Sequence, residues 1–210
     1  MAKPLQKIMR YVGQHGIVRP RDIEAIGLPR EYLVRLHRQG RLSRPGRGIY
    51  TLPDANVTER HSYAEVAKRV PEAIICLLSA LAFHEITTQS PPAIWIALRK
   101  GARRPALTSP SLRIVRLSGP SLTEGTENHQ VEGVPIRVYS AAKTVADCFK
   151  FRNKIGLDVA IEALKDCLRQ KKANVNEIYR YAKICRVGNV IRPYMEALRS
   201  EEHTSELQSL

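Results

Sequence analysis

Leu5, Ile8, Met9 and Val12 recur at i, i+3, i+4 and i+7, which predicts a helix with one buried stripe. It should end near Gly13–Gly16, and Ile17-Val18 then reads as a short edge strand. Pro20 suits the first turn of a helix, where its missing N–H costs nothing. That helix is expected over Pro20 to Ile26, burying Ile23 and Ile26, with Gly27 free to take the left-handed turn after it. Pro29 opens a third helix. Leu33 and Leu36 form its inner face with Tyr32 at the margin, and Arg30, Glu31, Val34, Arg35 and Arg38 form its outer face. Gly40 ends it. Arg41-Leu42 and Gly48 to Leu52 are expected as the strands of a hairpin, with Leu42, Ile49 and Leu52 facing the core. Arg44 and Arg47 fall at its tip, beside Pro45-Gly46 and Gly48. Two helices across a glycine turn, followed by a basic hairpin, outline a winged helix-turn-helix over residues 1–53.

The pattern changes after Pro53. Thr58 is placed to cap a helix from Glu59 to Val70, with Tyr63, Val66, Ala67 and Val70 inside and Pro71 as its stop. Ala73 to Leu77 reads as a short strand, with Ser79 capping a small helix, Ala80 to Ile86. Strand-like runs follow at Ala93–Leu98 and Leu112–Leu117, then a hairpin from His129 to Tyr139 around Glu132-Gly133. Helical spacing returns at Ala141–Phe151, capped by Ser140, at Asp158–Gln170, and at Glu177–Cys185, capped by Asn174 or Asn176. A last helix holds Pro193 to Leu198. The fold class is therefore α+β: a winged helix, then a mixed α/β domain over 58–198 that ends in a helical segment.

Charge says what such a head would meet. The chain carries a net +14, and residues 1–53 hold eleven Lys and Arg against Asp22, Glu24 and Glu31, a net +8 on a quarter of the length. That concentration favours an anionic partner, and double-stranded DNA comes first. Residues near the start of a recognition helix reach base edges and later ones meet phosphates. Arg30 is the expected base reader, Arg35 and Arg38 the expected phosphate contacts. Tyr32, Arg41, Arg44 and Arg47 complete the candidate DNA-binding set. A second basic loop, Arg99 to Pro105, reads equally as a contact or as a solvated loop.

The remaining chemistry argues against catalysis. His84-Glu85 begins like a zinc-protease HExxH but continues Ile86-Thr87-Thr88, without the second His. Cys76, Cys148, Cys167 and Cys185 form no CxxC pair and have no His pair at zinc-finger spacing, so they are expected as reduced thiols, those in the helical end buried. Lys143 and Asp147, at i, i+4, read as a surface ion pair. Asp158, Glu162 and Lys165 read as a solvated salt-bridge ladder rather than a nuclease set. No enzyme activity, metal or cofactor is expected. No apolar run approaches a membrane span and no signal peptide is evident, so the cytosol is the expected location.

Several stretches together resemble one family. They are GIVRPRDIEAIGLPREYLVRLHRQGRLSRPGRGIYTLPD, LLSALAFHEITTQSP with WIA after it, YSAAKTVADCFKFRNKIGLDVAIEALKD, and RPYMEAL. In these the chain looks like an AbiEi-type antitoxin, the DNA-binding partner in a type IV toxin–antitoxin system. The resemblance implies a winged helix that binds operator DNA and represses its own operon. It also implies a C-terminal region that counters a nucleotidyltransferase-like toxin without a stable complex. The alternative is a winged-helix regulator whose second half binds a ligand or a protein and which has no toxin partner. Residues 199–209, RSEEHTSELQS, read as the in-frame translation of a common sequencing-library adapter, so 199–210 are expected to carry no function and the natural C-terminus to be lost after about Leu198.

Overall fold

The computed structural model describes residues 3–54, 60–107 and 109–208, and the expected Thr58 cap lies outside them. The chain divides into two compact units. The first comprises Met1–Ala73, Arg104–Leu112 and Asn128–Arg137; the second comprises Ile74–Arg103, Arg113–Glu127 and Val138–Leu210.

In the first unit, α1 (Lys3–His15) buries Leu5, Ile8 and Val12, the predicted stripe. Helices α2 (Pro20–Ala25) and α3 (Glu31–Arg38) follow, then strands β1 (Ser43–Gly46) and β2 (Ile49–Thr51). Val18 bridges Tyr50 in antiparallel fashion, so the expected edge strand is a single bridge on β2. Leu5, Ile8, Val12, Val18, Ile23, Leu33, Leu36, Leu42 and Tyr50 form one core. Each fully buried aliphatic side chain there contributes roughly 1.5–3 kcal/mol. Helix α4 (His61–Arg69) also belongs to this unit.

Two elements of the head start two residues later than the sequence implies, for local reasons. The third helix begins at Glu31 rather than at Pro29, because Pro29 and Arg30 form a lead-in turn whose carbonyls accept from Tyr32 N (3.3 Å) and Leu33 N (3.0 Å). The first wing strand begins at Ser43 rather than Arg41. Gly40 takes φ +69°, and the amides of Arg41 and Leu42 turn back to the Leu36 carbonyl, so these two residues complete the helix cap.

The five-stranded sheet has the order β5-β4-β3-β7-β6. Its strands are β3 (Ile74–Ile75), β4 (Ile94–Arg99), β5 (Leu112–Leu117), β6 (Thr126–Val131) and β7 (Val134–Tyr139). Strand β3 pairs antiparallel with β4 (Ile74↔Ala97) and parallel with β7 (Ile75↔Val138). The β6–β7 hairpin turns on Glu132 (φ +51°) and Gly133 (φ +75°), both left-handed as a two-residue type I′ turn requires.

Helix α5 (Leu77–Phe83) starts three residues earlier than expected, and Ser79 is buried inside it rather than capping it. The Ser79 hydroxyl accepts from the Trp95 amide at 2.9 Å, tying the helix to β4. A short α6 (Pro120–Thr123), not anticipated, precedes β6. Helix α7 (Ala141–Lys150) is capped by Ser140 as expected, and every residue from Ala141 to Phe149 is buried. Helices α8 (Arg152–Ile155), α9 (Leu157–Arg169) and α10 (Val175–Ile184) complete the packing around it, with Asn174 and Glu177 forming a reciprocal cap on α10. The buried stripe of α9 is Ala160, Ala163, Leu164 and Cys167, mostly small residues that let it approach α7 closely. Helix α11 runs over Gly188–Gln208, ten residues past the expected stop at Leu198. The Ser200 hydroxyl turns back to the Glu196 carbonyl (3.1 Å), as it does within a continuing helix.

Candidate nucleic-acid interface

The helix-turn-helix is closed by backbone bonds. Gly27 N meets Glu24 O (3.0 Å) and Leu28 N meets Ile23 O (3.1 Å), so the chain leaves α2 sharply and re-enters a helix within a few residues. Burial of Leu33 and Leu36 then fixes which face of α3 looks outward. That face carries Val34, 41% exposed, together with exposed Arg35 and Arg38. An exposed valine beside arginines is the usual chemistry of a groove-reading helix: charge for phosphate, a methyl surface for thymine. Helical spacing alone puts Val34 on the outer face, and its exposure there adds an apolar contact to the arginine row.

The predicted set separates once its surroundings are seen. Arg35 and Arg38 lie together on the outer face of α3. Arg44, on β1, has its guanidinium 5.8 Å from the Tyr50 ring, and Arg47 is exposed in the two-residue turn between β1 and β2. Arg30 lies ahead of α3, half in reach of carboxylates: its Nε is 3.8 Å from Glu24 and 3.6 Å from Glu31. These are exposed pairs worth roughly 0–1 kcal/mol, which a phosphate or guanine can displace. Tyr32 is half-buried and packs on the head core, apart from the arginine row. Arg41 is half-buried at the α3 cap.

Ionisable residues that the periodicity did not single out support the head from behind. Asp22 accepts from the Arg19 amide (2.9 Å) and pairs with Lys68 (3.1 Å). Arg69, in the last turn of α4, bonds the Arg47 carbonyl (3.3 Å). Lys68 and Arg69 lie more than fifteen residues beyond the wing, so no local spacing could have pointed to them.

The second unit holds the other concentration of ionisable groups, and it corrects one expectation outright. Lys143 and Asp147 are 0% and 1% exposed, 2.5 Å apart, not a surface pair. They are buried because α7 is covered by α5, α9, α10 and α11 on its several faces. The Lys143 ammonium lies 4.1 Å from the Tyr139 ring centroid, and the Cys185 thiol donates to the other Asp147 oxygen at 3.2 Å. Burial pushes the Asp147 carboxyl upward, opposed by Lys143. Burial, with Asp147 beside it, pushes the Cys185 thiol up to about 12. Burial also raises Cys167, to about 11, and Cys76 and Cys148. All four cysteines are free and buried, so they are protonated and poorly nucleophilic at neutral pH. A closed, buried cluster of this kind holds a core together.

The expected ladder on α9 is also different. Among the described residues no ion pair joins Asp158, Glu162 and Lys165; the pair on that helix is Arg169–Asp166 (2.8 Å). Among the described residues no group of three or more His, Cys, Asp or Glu could hold a metal ion, and no helix is long and apolar enough to cross a membrane.

The first unit thus contains a winged helix-turn-helix with an exposed arginine face. Residues 6–53, from the first turn of α1 to just past β2, match the family model described as transcriptional regulator, AbiEi antitoxin, and in this segment the chain is similar to that family. No curated protein matches the chain.

Proposed function

We propose that the protein is a DNA-binding transcriptional repressor that acts as the antitoxin of a type IV toxin–antitoxin system. It binds double-stranded operator DNA at its own operon and counters a nucleotidyltransferase-like toxin. The observation that carries the reading is the outer face of α3, Val34 with Arg35 and Arg38, within a segment that matches AbiEi regulators. In this reading Arg30 leaves Glu24 and Glu31 to meet a base edge. Arg35, Arg38, Arg44 and Arg47 neutralise phosphates, and Val34 meets a thymine methyl. The reaction chemistry is none: the protein acts by occupying DNA, in the cytoplasm.

The alternative is a regulator whose second half binds a ligand or a protein and which has no toxin partner; its small-ligand form has less support. The apolar cleft at Leu78, Leu81, Ile86, Pro91, Pro92 and Val159 has a volume of about 100 Å³, and the polar hollow at His84, Glu127, Lys172 and Arg180 about 260 Å³. Ligand pockets usually begin at about 300 Å³; a third hollow, at Arg21, Asp22, Lys68, Pro71, Pro135 and Arg137, reaches about 360 Å³ but lies in the first unit, with the winged helix.

Two measurements test the proposal. The purified chain should shift duplex from upstream of its own gene in preference to an unrelated duplex. Its expression should also restore growth to cells expressing a nucleotidyltransferase-like reading frame from the same locus. Specific binding without rescue would leave a regulator and remove the antitoxin role; no preference for the upstream duplex would remove the repressor.

A further inference from the structure

The geometry points to Arg69 as the residue that positions the wing for nucleic acid, an inference that rests on the DNA-binding reading above. Arg69 ends α4, outside the segment 6–53 that matches the family. Its side chain is 15% exposed and each terminal nitrogen is engaged. Nη1 donates to the Ser109 carbonyl at 2.8 Å. Nη2 donates to the Arg47 carbonyl at 3.3 Å and pairs with Glu65 at 3.4 Å, itself 14% exposed. The guanidinium therefore lies under the wing turn. It acts through Arg47, whose carbonyl it holds while the Arg47 side chain stays exposed.

Gly46 is the second observation. A Cβ built there would run into Arg69 Nη2, and the next neighbour is Glu65 Oε1 at 3.2 Å. Gly46 has an ordinary backbone, so it is not glycine for the sake of a left-handed turn. It is the position where a side chain would displace the guanidinium. The wing needs such an anchor. Strands β1 and β2 are four and three residues long, with an irregular register between Ser43 and Gly46. A short two-stranded ribbon is marginal by itself.

The neighbouring residue does the same for the other half of the reading head. Lys68 Nζ pairs with Asp22 of α2 (3.1 Å), and the Lys68 carbonyl accepts from Arg19 just ahead of α2. The last turn of α4 is thus a bracket: Lys68 holds the entry to the helix-turn-helix, Arg69 holds the wing.

The test uses the full chain with Arg69→Gln, Gly46→Ala, Arg47→Ala and the double variant Arg69→Gln/Arg47→Ala. Trypsin cleavage at Arg47–Gly48, followed by mass, reads wing opening without any DNA. Both Arg69→Gln and Gly46→Ala should speed that cleavage about tenfold or more, because the wing opens locally while the core stays closed. In a salt series on the upstream duplex, Arg69→Gln should lower the log–log slope by about 0.9, as Arg47→Ala does, since each loses one phosphate contact. The double variant should lose no more than Arg47→Ala alone. Unchanged cleavage in Arg69→Gln and Gly46→Ala, or additive losses in the double variant, would overturn the positioning role. If Arg69→Gln does not fold, Gly46→Ala, which keeps the arginine, decides in its place. A wild type that binds no duplex sinks the DNA-binding reading, and the cleavage arm still decides whether Arg69 holds the wing.

Discussion

The outer face of α3 and the middle of α7 use charge in opposite ways. Arg35 and Arg38 project from α3 into solvent, over a core of Leu33 and Leu36 that is fully closed beneath them. Lys143 and Asp147 sit inside a helix with no outer face at all. The arginines contribute little to folding, so they are free to be spent on a partner. The buried pair has the reverse role: each charge is tolerable only because the other is 2.5 Å away. The difference teaches where to look for function in this molecule. Charge concentrated on an exposed face over an independent core is available for binding. Charge enclosed within a core holds neighbouring helices in register.

Substitutions should therefore separate the two regions, and the largest effect is expected in the core. Asp147→Ala leaves Lys143 buried without a counter-ion and should cost about 3–5 kcal/mol in denaturant unfolding, whereas Lys143→Met/Asp147→Leu together should cost far less. Equal losses for the single and double variants would contradict the account of that pair.

Alkaline pH comes next. Burial pushes the Cys185 and Cys167 thiols up to about 12 and about 11 in the folded chain, from an ordinary value of 9.0. The folded state keeps protons that the unfolded state gives up. Their stabilising contribution is full below pH 9 and falls as pH rises through 9 to 11 and beyond, by up to about 1.4 kcal/mol per pH unit for each thiol. Denaturant midpoints at pH 8 and 10 measure it. Cys167→Ala should show a smaller drop than the wild type, and an identical drop would remove the thiol from the explanation.

Effects in the head should appear in binding and leave the melting curve nearly unmoved. Arg30→Ala should reduce discrimination between the upstream duplex and a scrambled one by about 1–3 kcal/mol if it reads a base. Arg44→Ala or Arg47→Ala should weaken all duplexes alike and reduce the salt slope by about 0.9 each. The smallest expected effect is Glu31→Gln, which frees Arg30 from one carboxylate and should tighten binding by some tenths of a kcal/mol. Weaker binding in that variant would mean that Glu31 orients Arg30 rather than restrains it.

Local pattern carried much of this structure. The 3.6-residue stripe of α1, the Ser140 cap and the Glu132-Gly133 turn each depend on neighbours in sequence, and each is found where its residues implied. Positions governed by distant partners were harder to read. Ser79 looks like a helix cap by composition, but the amide it satisfies belongs to Trp95 on another element. Lys143 and Asp147 have the spacing of a surface pair, and nothing in that spacing says that other helices will cover the helix on its several faces. The exposure of Arg35, Arg38, Arg44 and Arg47 was legible because helix periodicity and a tight hairpin are local devices. Arg69 was not, because its partners Arg47 and Ser109 are 22 and 40 residues away.

The central claim is that the exposed arginine face of the winged helix binds operator DNA. A salt titration of the full chain on fluorescent duplex from upstream of its own gene tests this most directly, with Arg35→Ala/Arg38→Ala measured in parallel. The account predicts preferential binding of that duplex, a log–log slope of about −0.9 for each phosphate neutralised, and a slope about 1.8 shallower in the double variant. Binding that ignores salt, or a double variant with unchanged affinity and slope, would contradict it.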